Sequence, residues 1–404
     1  MTATAYRSDE LLDLAGGLLP DVVALRRAIH RHPEQGLQLP RTQAAVLAAL
    51  DDLPLEIATG TALTSVVADL RGGLGDGPTI LLRGDMDALP MPEDTGVEFA
   101  SEVEGAMHAC GHDSHTAMLA GAARLLSDRR DEFAGRVRFM FQPGEEGYHG
   151  ARHMIEEGVI DGVDAVFALH VTPNAPSGVI ATRGGPIMAA ANVLRITVRG
   201  MGGHASSPYL ANDPMPVAAE IVIALQVFVT RRINTFDPVV ITITKIRAGT
   251  TNNVIPEEVH LEGTLRSVSE GSRAKAIQGI ERIVTNIAAA HEMEATFEQV
   301  AGYPVVVNDE EFARFTREVA SRALGEQYSF EMPAPVMGAE DFSYLLNERP
   351  GAFAYLGVCP PGQTPAHAHG CHSNRMTIDE PALRHGIAMY AALALDYLAG
   401  NFTP

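Results

Sequence analysis

Apolar residues along this chain repeat at helical spacing in some stretches and gather into short strand-length runs in others. "PDVVALRRAIHRHPE" spaces its apolar positions as an amphipathic helix that Pro33 stops, and "TQAAVLAALDDL" repeats that spacing from near Thr42. Three apolar runs follow: "TILLRGDMDALP" ends in two aspartates, "RVRFMFQPGEEG" in two glutamates and "VDAVFALHV" in His170. Each is short enough for a buried strand. Between the first two, "TAMLAGAARLLSD" returns to helical spacing. The alternation predicts an α/β unit. In open α/β sheets, ligands collect beyond the carboxyl ends of the strands, where these polar residues fall.

From about Asn192 the texture changes. "NVLRITVRG", the helix "MPVAAEIVIALQVFVTRR", "VVITITKI", "EVHLEGTLRS", the helix "RAKAIQGIERIVTNIAAAH" and "EATFEQV" read as β-α-β-β-α-β, a ferredoxin-like α+β unit. After Tyr303 the helix and strand alternation resumes through "FARFTREVASRAL", "FAYLGV" and "ALRHGIAMYAALALDYL". The expected organisation is therefore a discontinuous first domain, 1–190 and 304–404, with 191–303 inserted into it.

Composition narrows the function classes. A chain of 404 residues, 46% hydrophobic and 20% charged, is expected to fold as two globular domains. No run approaches the roughly 18 apolar residues of a membrane span, and "MTATAYRSDELLDLAGG" lacks the basic start and apolar core of a secretory signal. Three cysteines make no disulfide framework and point to the cytoplasm. A net charge of −20 argues against nucleic acid or an anionic membrane as partner. An anionic substrate then needs specific arginines.

"HACGHDSH", residues 108–115, concentrates imidazole, thiol and carboxylate groups in one place. A zinc-type site draws such donors from separate elements. The candidates are Cys110, His112, the Glu145/Glu146 pair, His170, and His372 of "HAHGCHSN". Cys110 and His112 flank a glycine at a helix start, where the helix dipole favours a thiolate. Two adjacent glutamates divide naturally into one ligand and one general base. Asp87 is placed to hold a ligand histidine in its correct tautomer, Asp85 reads as a loop residue bonded to backbone, and His30 and His32 are given no chemistry.

At these residues the chain resembles a known family. "RGDMDALP", "MHACGHDSHTAML", "QPGEEG", "ALHV", "GGHAS", "NNVIP", "GTLRS", "GAEDF" and "HSNRM" occur in the order seen in dinuclear metalloamidohydrolases related to aminoacylase and metal-dependent carboxypeptidases. The similar subgroup contains hippurate hydrolase, N-acyl-amino acid amidohydrolases and plant hydrolases of auxin conjugates, and the similarity runs from about Leu25 to Leu398. The resemblance implies a metallopeptidase-type catalytic domain, with a central mixed sheet flanked by helices, and a lid. It also implies two divalent metal ions bridged by Cys110, with His112, Glu146, His170 and His372 completing the shells and Glu145 as base. By the same analogy His204 of "GMGGHASS" donates to the tetrahedral oxyanion, Asn253 and Arg266 receive the substrate carboxylate, and the protein forms a homodimer or higher homo-oligomer through the lid.

The mixed donor set suits zinc first, with manganese, cobalt or nickel as alternatives. Departures from the pattern are Leu39, His149 and Asn374, and Cys371 sits beside a presumed ligand. The expected activity is hydrolysis of N-acyl amino acids. A metallo-dipeptidase or carboxypeptidase, a thiol hydrolase using Cys110, and a non-catalytic metal-binding protein stand as rivals.

Overall fold

A computed structural model describes residues 10–402. The chain separates into two compact units, the first ending at Gly185 and resuming over Val307–Ala334 and from Asp341, the second comprising Pro186–Val306 and Pro335–Glu340. The last segment departs from the expected division, which left all of 304–404 in the first unit. Its backbone explains why: the Ala189 amide donates to the carbonyls of Val336 and Gly338, and the Val336 amide to that of Ile187. Such pairing leaves no hydrophobic period in the sequence.

The first unit is built on a sheet whose strands lie in the order Glu56–Thr59, Val66–Arg71, Arg136–Gln142, Thr79–Asp85, Ala165–Thr172, Gly351–Gly357, Ile180–Thr182 and Ser329–Glu331. Thr79–Asp85 pairs in parallel with both Arg136–Gln142 and Ala165–Thr172, and the latter in parallel with Gly351–Gly357. Val66–Arg71 is antiparallel to Arg136–Gln142, so the sheet is mixed. Thr79–Asp85 is buried at every position, because a parallel strand covered on both faces has no solvent side. The helices Glu10–Arg31, His112–Asp128 and Leu383–Leu398 pack together on the sheet. The first begins ten residues before the expected start and runs through Pro20. Pro40–Leu50 has Leu39 at its N-cap, with no capping side chain of its own, and the Glu34 carboxylate accepts from the Arg41 and Thr42 amides instead.

The second unit is a four-stranded antiparallel sheet in the order Val239–Ala248, Glu258–Ser267, Ala190–Arg199, Glu294–Ala301. Numbered along the chain this is 2-3-1-4, the order of the split β-α-β unit. Leu194, Ile196 and Val198 alternate inward to meet Pro214–Arg232 and Glu270–Ala290. Asp213 and Ser269 cap those helices through the amides of Met215 and Ser272. Pro214–Arg232 is 19 residues long and, by length and composition only, long and apolar enough to cross a membrane, contrary to the expectation that no run would be. Here Val217, Ile221, Leu225 and Phe228 are buried in the core of the second unit.

Candidate metal centre and active site

The carboxyl ends of three parallel strands deliver the first set of groups. Thr79–Asp85 leads to Asp87, Arg136–Gln142 to Glu145 and Glu146, and Ala165–Thr172 carries His170. Cys110 and His112 arrive at the start of the helix His112–Asp128, with Gly111 between them at φ 87°. That glycine is obligatory twice over: it lies in the left-handed region, and a Cβ there would stand 2.3 Å from Val171 Cγ2, beside His170. His372 also has a positive φ, 67°, and its amide donates to the Ala109 carbonyl at 2.7 Å, which seats it next to Cys110. A non-glycine residue in that region costs about 1–3 kcal/mol, so the surrounding contacts hold it there.

Ligand-type atoms fall into overlapping groups within which all lie at most 4.8 Å apart: Cys110, His112 and His170; Cys110, Glu146 and His372; His112, Glu145 and Glu146. Cys110 belongs to two of these groups. Its sulfur is 3.3 Å from His170 Nε2, and His372 Nε2 is 3.2 Å from Glu146 Oε1.

Both buried histidines have their tautomers set by main-chain carbonyls. His112 Nδ1 donates to the Asp87 carbonyl at 2.8 Å and His170 Nδ1 to that of Val171 at 2.7 Å. Each Nε2 is therefore the nitrogen left to face the cluster. His112 Nε2 is buried with no hydrogen-bond partner among the described residues. An orphaned imidazole nitrogen facing thiol and carboxylate donors fits a bound cation.

The Asp87 side chain stands beside His112 and also has a further task. Its carboxylate accepts from the amides of Glu145 and Glu146, each at 2.9 Å, and lies 3.4 Å from His112 Nδ1. Because the strand ends at Asp85, the Asp87 carbonyl turns to the histidine and the carboxylate clamps the diglutamate turn.

Charge in the site favours a cation. Burial depresses the basicity of His112, but Asp85 and Asp87 outweigh it and raise the pKa to about 10. The hydrogen bond that the Cys110 thiol donates to Cys371, then burial and the nearby glutamates, push that thiol well up, a preference that a cation against the sulfur reverses. Burial raises the Glu146 carboxyl, yet its bond to His372 and the charge of His112 bring it below the ordinary range.

Several supporting residues were not assigned from sequence. His115, in the same motif, donates from Nδ1 to Asp85 at 2.6 Å and accepts the Val171 amide on Nε2 at 2.8 Å. With both nitrogens spent, it supports the His170 strand end and leaves no lone pair for an ion, although it lies close to Asp85 and His112. Asp85, far from a loop residue, is fully buried and pairs with Arg83 at 2.5 Å. Asp341, of the "GAEDF" block, accepts from Arg83, from Gln142 and from the Ala151 amide, bracketing the glutamate turn. His30 is buried and bonded to Asp113 at 2.8 Å. The available signal was the strand-end position of Asp85 and the repeated histidine of the motif. His149, at φ 57°, meets the Tyr344 hydroxyl at 3.0 Å, the Cys371 sulfur lies 3.7 Å from the Val171 carbonyl, and the Asn374 carbonyl accepts the Asp94 amide.

In the second unit, Gly203–His204 pairs antiparallel with Val254–Ile255. The Ala205 amide donates to the Asn253 carbonyl, so "GGHAS" and "NNVIP" are neighbours. Arg266, on Glu258–Ser267, is half-buried and has no ion pair or hydrogen bond among the described residues. Burial lowers its pKa.

The model of Peptidase family M20/M25/M40 matches residues 81–396. Thermostable carboxypeptidase 2 of Saccharolobus solfataricus is 41% identical over 93% of this chain and 95% of its own. N-acetylcysteine deacetylase of Bacillus subtilis is 38% identical over 93% of this chain and 96% of its own. Among solved structures, Bacillus subtilis YXEP, a dinuclear metal binding peptidase from the M20 family, superposes with a TM-score of 0.82 at 35% identity, covering 95% of this chain and 99% of that one.

Proposed function

The chain belongs to peptidase family M20/M25/M40, and from that premise we propose that it hydrolyses the amide between an acyl group and the amine of an amino acid. The observation that carries the reading is the gathering of Cys110, His112, Glu145, Glu146, His170 and His372 into overlapping groups of ligand-type atoms, a donor set that would suit two cations. Cys110, His112, Glu146, His170 and His372 would hold the ions. A thiolate, imidazole and carboxylate set suits zinc, then cobalt, nickel or manganese. When bound, two such cations polarise the amide carbonyl and make an attacking water more acidic.

The chain's own groups do the rest. Glu145, its backbone fixed by Asp87, takes the proton from the water and delivers it to the amine nitrogen as the C–N bond breaks. His204 donates to the oxyanion of the tetrahedral intermediate. Arg266 and Asn253 take the carboxylate of the amino acid, the role for which an unpaired, half-buried guanidinium is suited.

A homodimer formed through the second unit is part of the proposal, since the edge strand Val239–Ala248 and the helix Pro214–Arg232 expose Ile246 (59%), Ile223 (65%) and Val227 (54%). Free Cys110, Cys359 and Cys371 support a reducing, cytoplasmic location, and the charge of −20 supports a small-molecule partner over nucleic acid or an anionic membrane.

The test is a screen of N-acetyl, N-benzoyl and long-chain N-acyl amino acids, with Arg266→Ala as the probe of substrate class. The variant is expected to lose about 2–5 kcal/mol in kcat/KM on N-acyl amino acids while the matching N-acyl amines change little. Equal losses on both remove carboxylate recognition. The relatedness to a carboxypeptidase favours a second reading, hydrolysis of peptides at a free C-terminus. Unblocked dipeptides and N-blocked peptides in the same screen decide between them.

A further inference from the structure

His204 is exposed at the end of the two-residue strand Gly203–His204, yet its ring is not left to choose its tautomer. The Ser206 amide donates to His204 Nδ1 at 3.1 Å, and the Ser206 hydroxyl lies 2.8 Å from the same nitrogen. A main-chain N–H can only donate, so Nδ1 must present a lone pair, and the proton of the neutral ring must sit on Nε2. The backbone beneath the ring is pinned on both sides: His204 pairs with Val254 across the short ladder, and its carbonyl accepts the Ser207 amide at 2.9 Å. Nε2 has no partner among the described residues.

We infer that Ser206 is a positioning residue that holds His204 as the neutral Nε2–H tautomer, so that His204 acts as a hydrogen-bond donor to the developing oxyanion and not as a proton acceptor. This rests on the oxyanion role proposed above for His204 and goes further, because it states which nitrogen donates and what selects it. A histidine meant to remove a proton would need the opposite tautomer, with a lone pair on the nitrogen facing the substrate. A donor preorganised before substrate arrives costs no reorganisation when charge develops on the carbonyl oxygen.

The tautomer is read directly by two-bond proton–nitrogen correlation spectra of the zinc-loaded enzyme labelled with 15N-histidine at pH 8, the His204 signals being assigned by their loss in His204→Gln. The expected result is an unprotonated Nδ1 and a protonated Nε2. A protonated Nδ1, alone or together with Nε2, overturns the inference. In Ser206→Ala, which keeps the amide but loses the hydroxyl, the Nδ1–H tautomer should gain population and kcat should fall roughly two- to tenfold, the worth of one hydrogen bond. KM should stay unchanged, and Ser206→Thr should restore both. Wild-type spectra and kcat in Ser206→Ala remove the hydroxyl from the device. The underlying reading fails separately: if His204→Ala stays fully active, the oxyanion role is lost whatever the spectra show.

Discussion

At the scale of single residues, Glu145 and Cys110 sit in one cluster and make opposite predictions. Glu145→Gln should bind metal as the wild type does, because the Asp87 clamp acts on its amide, yet lose at least about a hundredfold in kcat. Near-normal turnover removes it as the base. Cys110→Ala should lose metal, measured as ion equivalents per chain after dialysis, since its sulfur is common to two of the ligand groups. His30 yields a pH prediction. Burial works against its charge, but Asp113 and Glu93 prevail and raise its pKa from 6.5 to about 9. A raised folded-state value means that the stabilisation is complete below the unfolded value near 6.5 and drains away as pH rises through about 9. Asp113 is shifted the other way, burial being outweighed by Arg26 and His30, so its share is constant over this window. The gap in urea-unfolding free energy between wild type and His30→Gln should be on the order of 3 kcal/mol at pH 6 and shrink markedly by pH 10. A gap independent of pH contradicts a charged His30.

At the scale of elements, the helix start His112–Asp128 and the strand Ala165–Thr172 are locked by one missing methyl group. Gly111→Ala must place its Cβ against Val171 and adopt a disfavoured φ, so the backbone carrying Cys110 and His112 has to move. The expected cost is about 1–3 kcal/mol in stability together with weaker metal retention. Adding Val171→Ala relieves the collision but not the backbone strain, so recovery should be partial. Full metal retention in Gly111→Ala alone means that the turn adapts without moving the ligands. Spacing in the sequence marked Cys110 and His112 as neighbours of a helix start. It carried no sign that the strand packed behind them leaves no room for a side chain.

At the scale of the whole molecule, the proposed constellation draws Glu145 from one unit and His204 from the other. If His204 serves the neighbouring subunit of a dimer, His204→Ala and Glu145→Gln should each be nearly inactive, while co-expressed mixed dimers contain one site with both groups intact. Activity per mixed dimer should then approach half the wild-type value. Mixed dimers that form, shown by tagged co-purification, but stay inactive place His204 in service of its own chain.

By itself the sequence determined the donor types, their order and the elements that bear them. Strand-length apolar runs ending in Asp87, Glu145 and His170, and a ferredoxin-like strand and helix order after Asn192, are written in local periodicity, and periodicity reports which face of an element is buried. Only the tertiary structure decided which atom of each residue points where. Asp87 holds the histidine by its carbonyl and the glutamates by its carboxylate. His115 is consumed by Asp85 and the Val171 amide while its neighbour in the motif, His112, keeps a free nitrogen. Residues 335–340 join the second unit through backbone pairing with 187–189. These outcomes depend on hydrogen bonds between groups far apart in the chain, set by strand register and by where each strand stops, and no periodic pattern of apolar and polar residues encodes either.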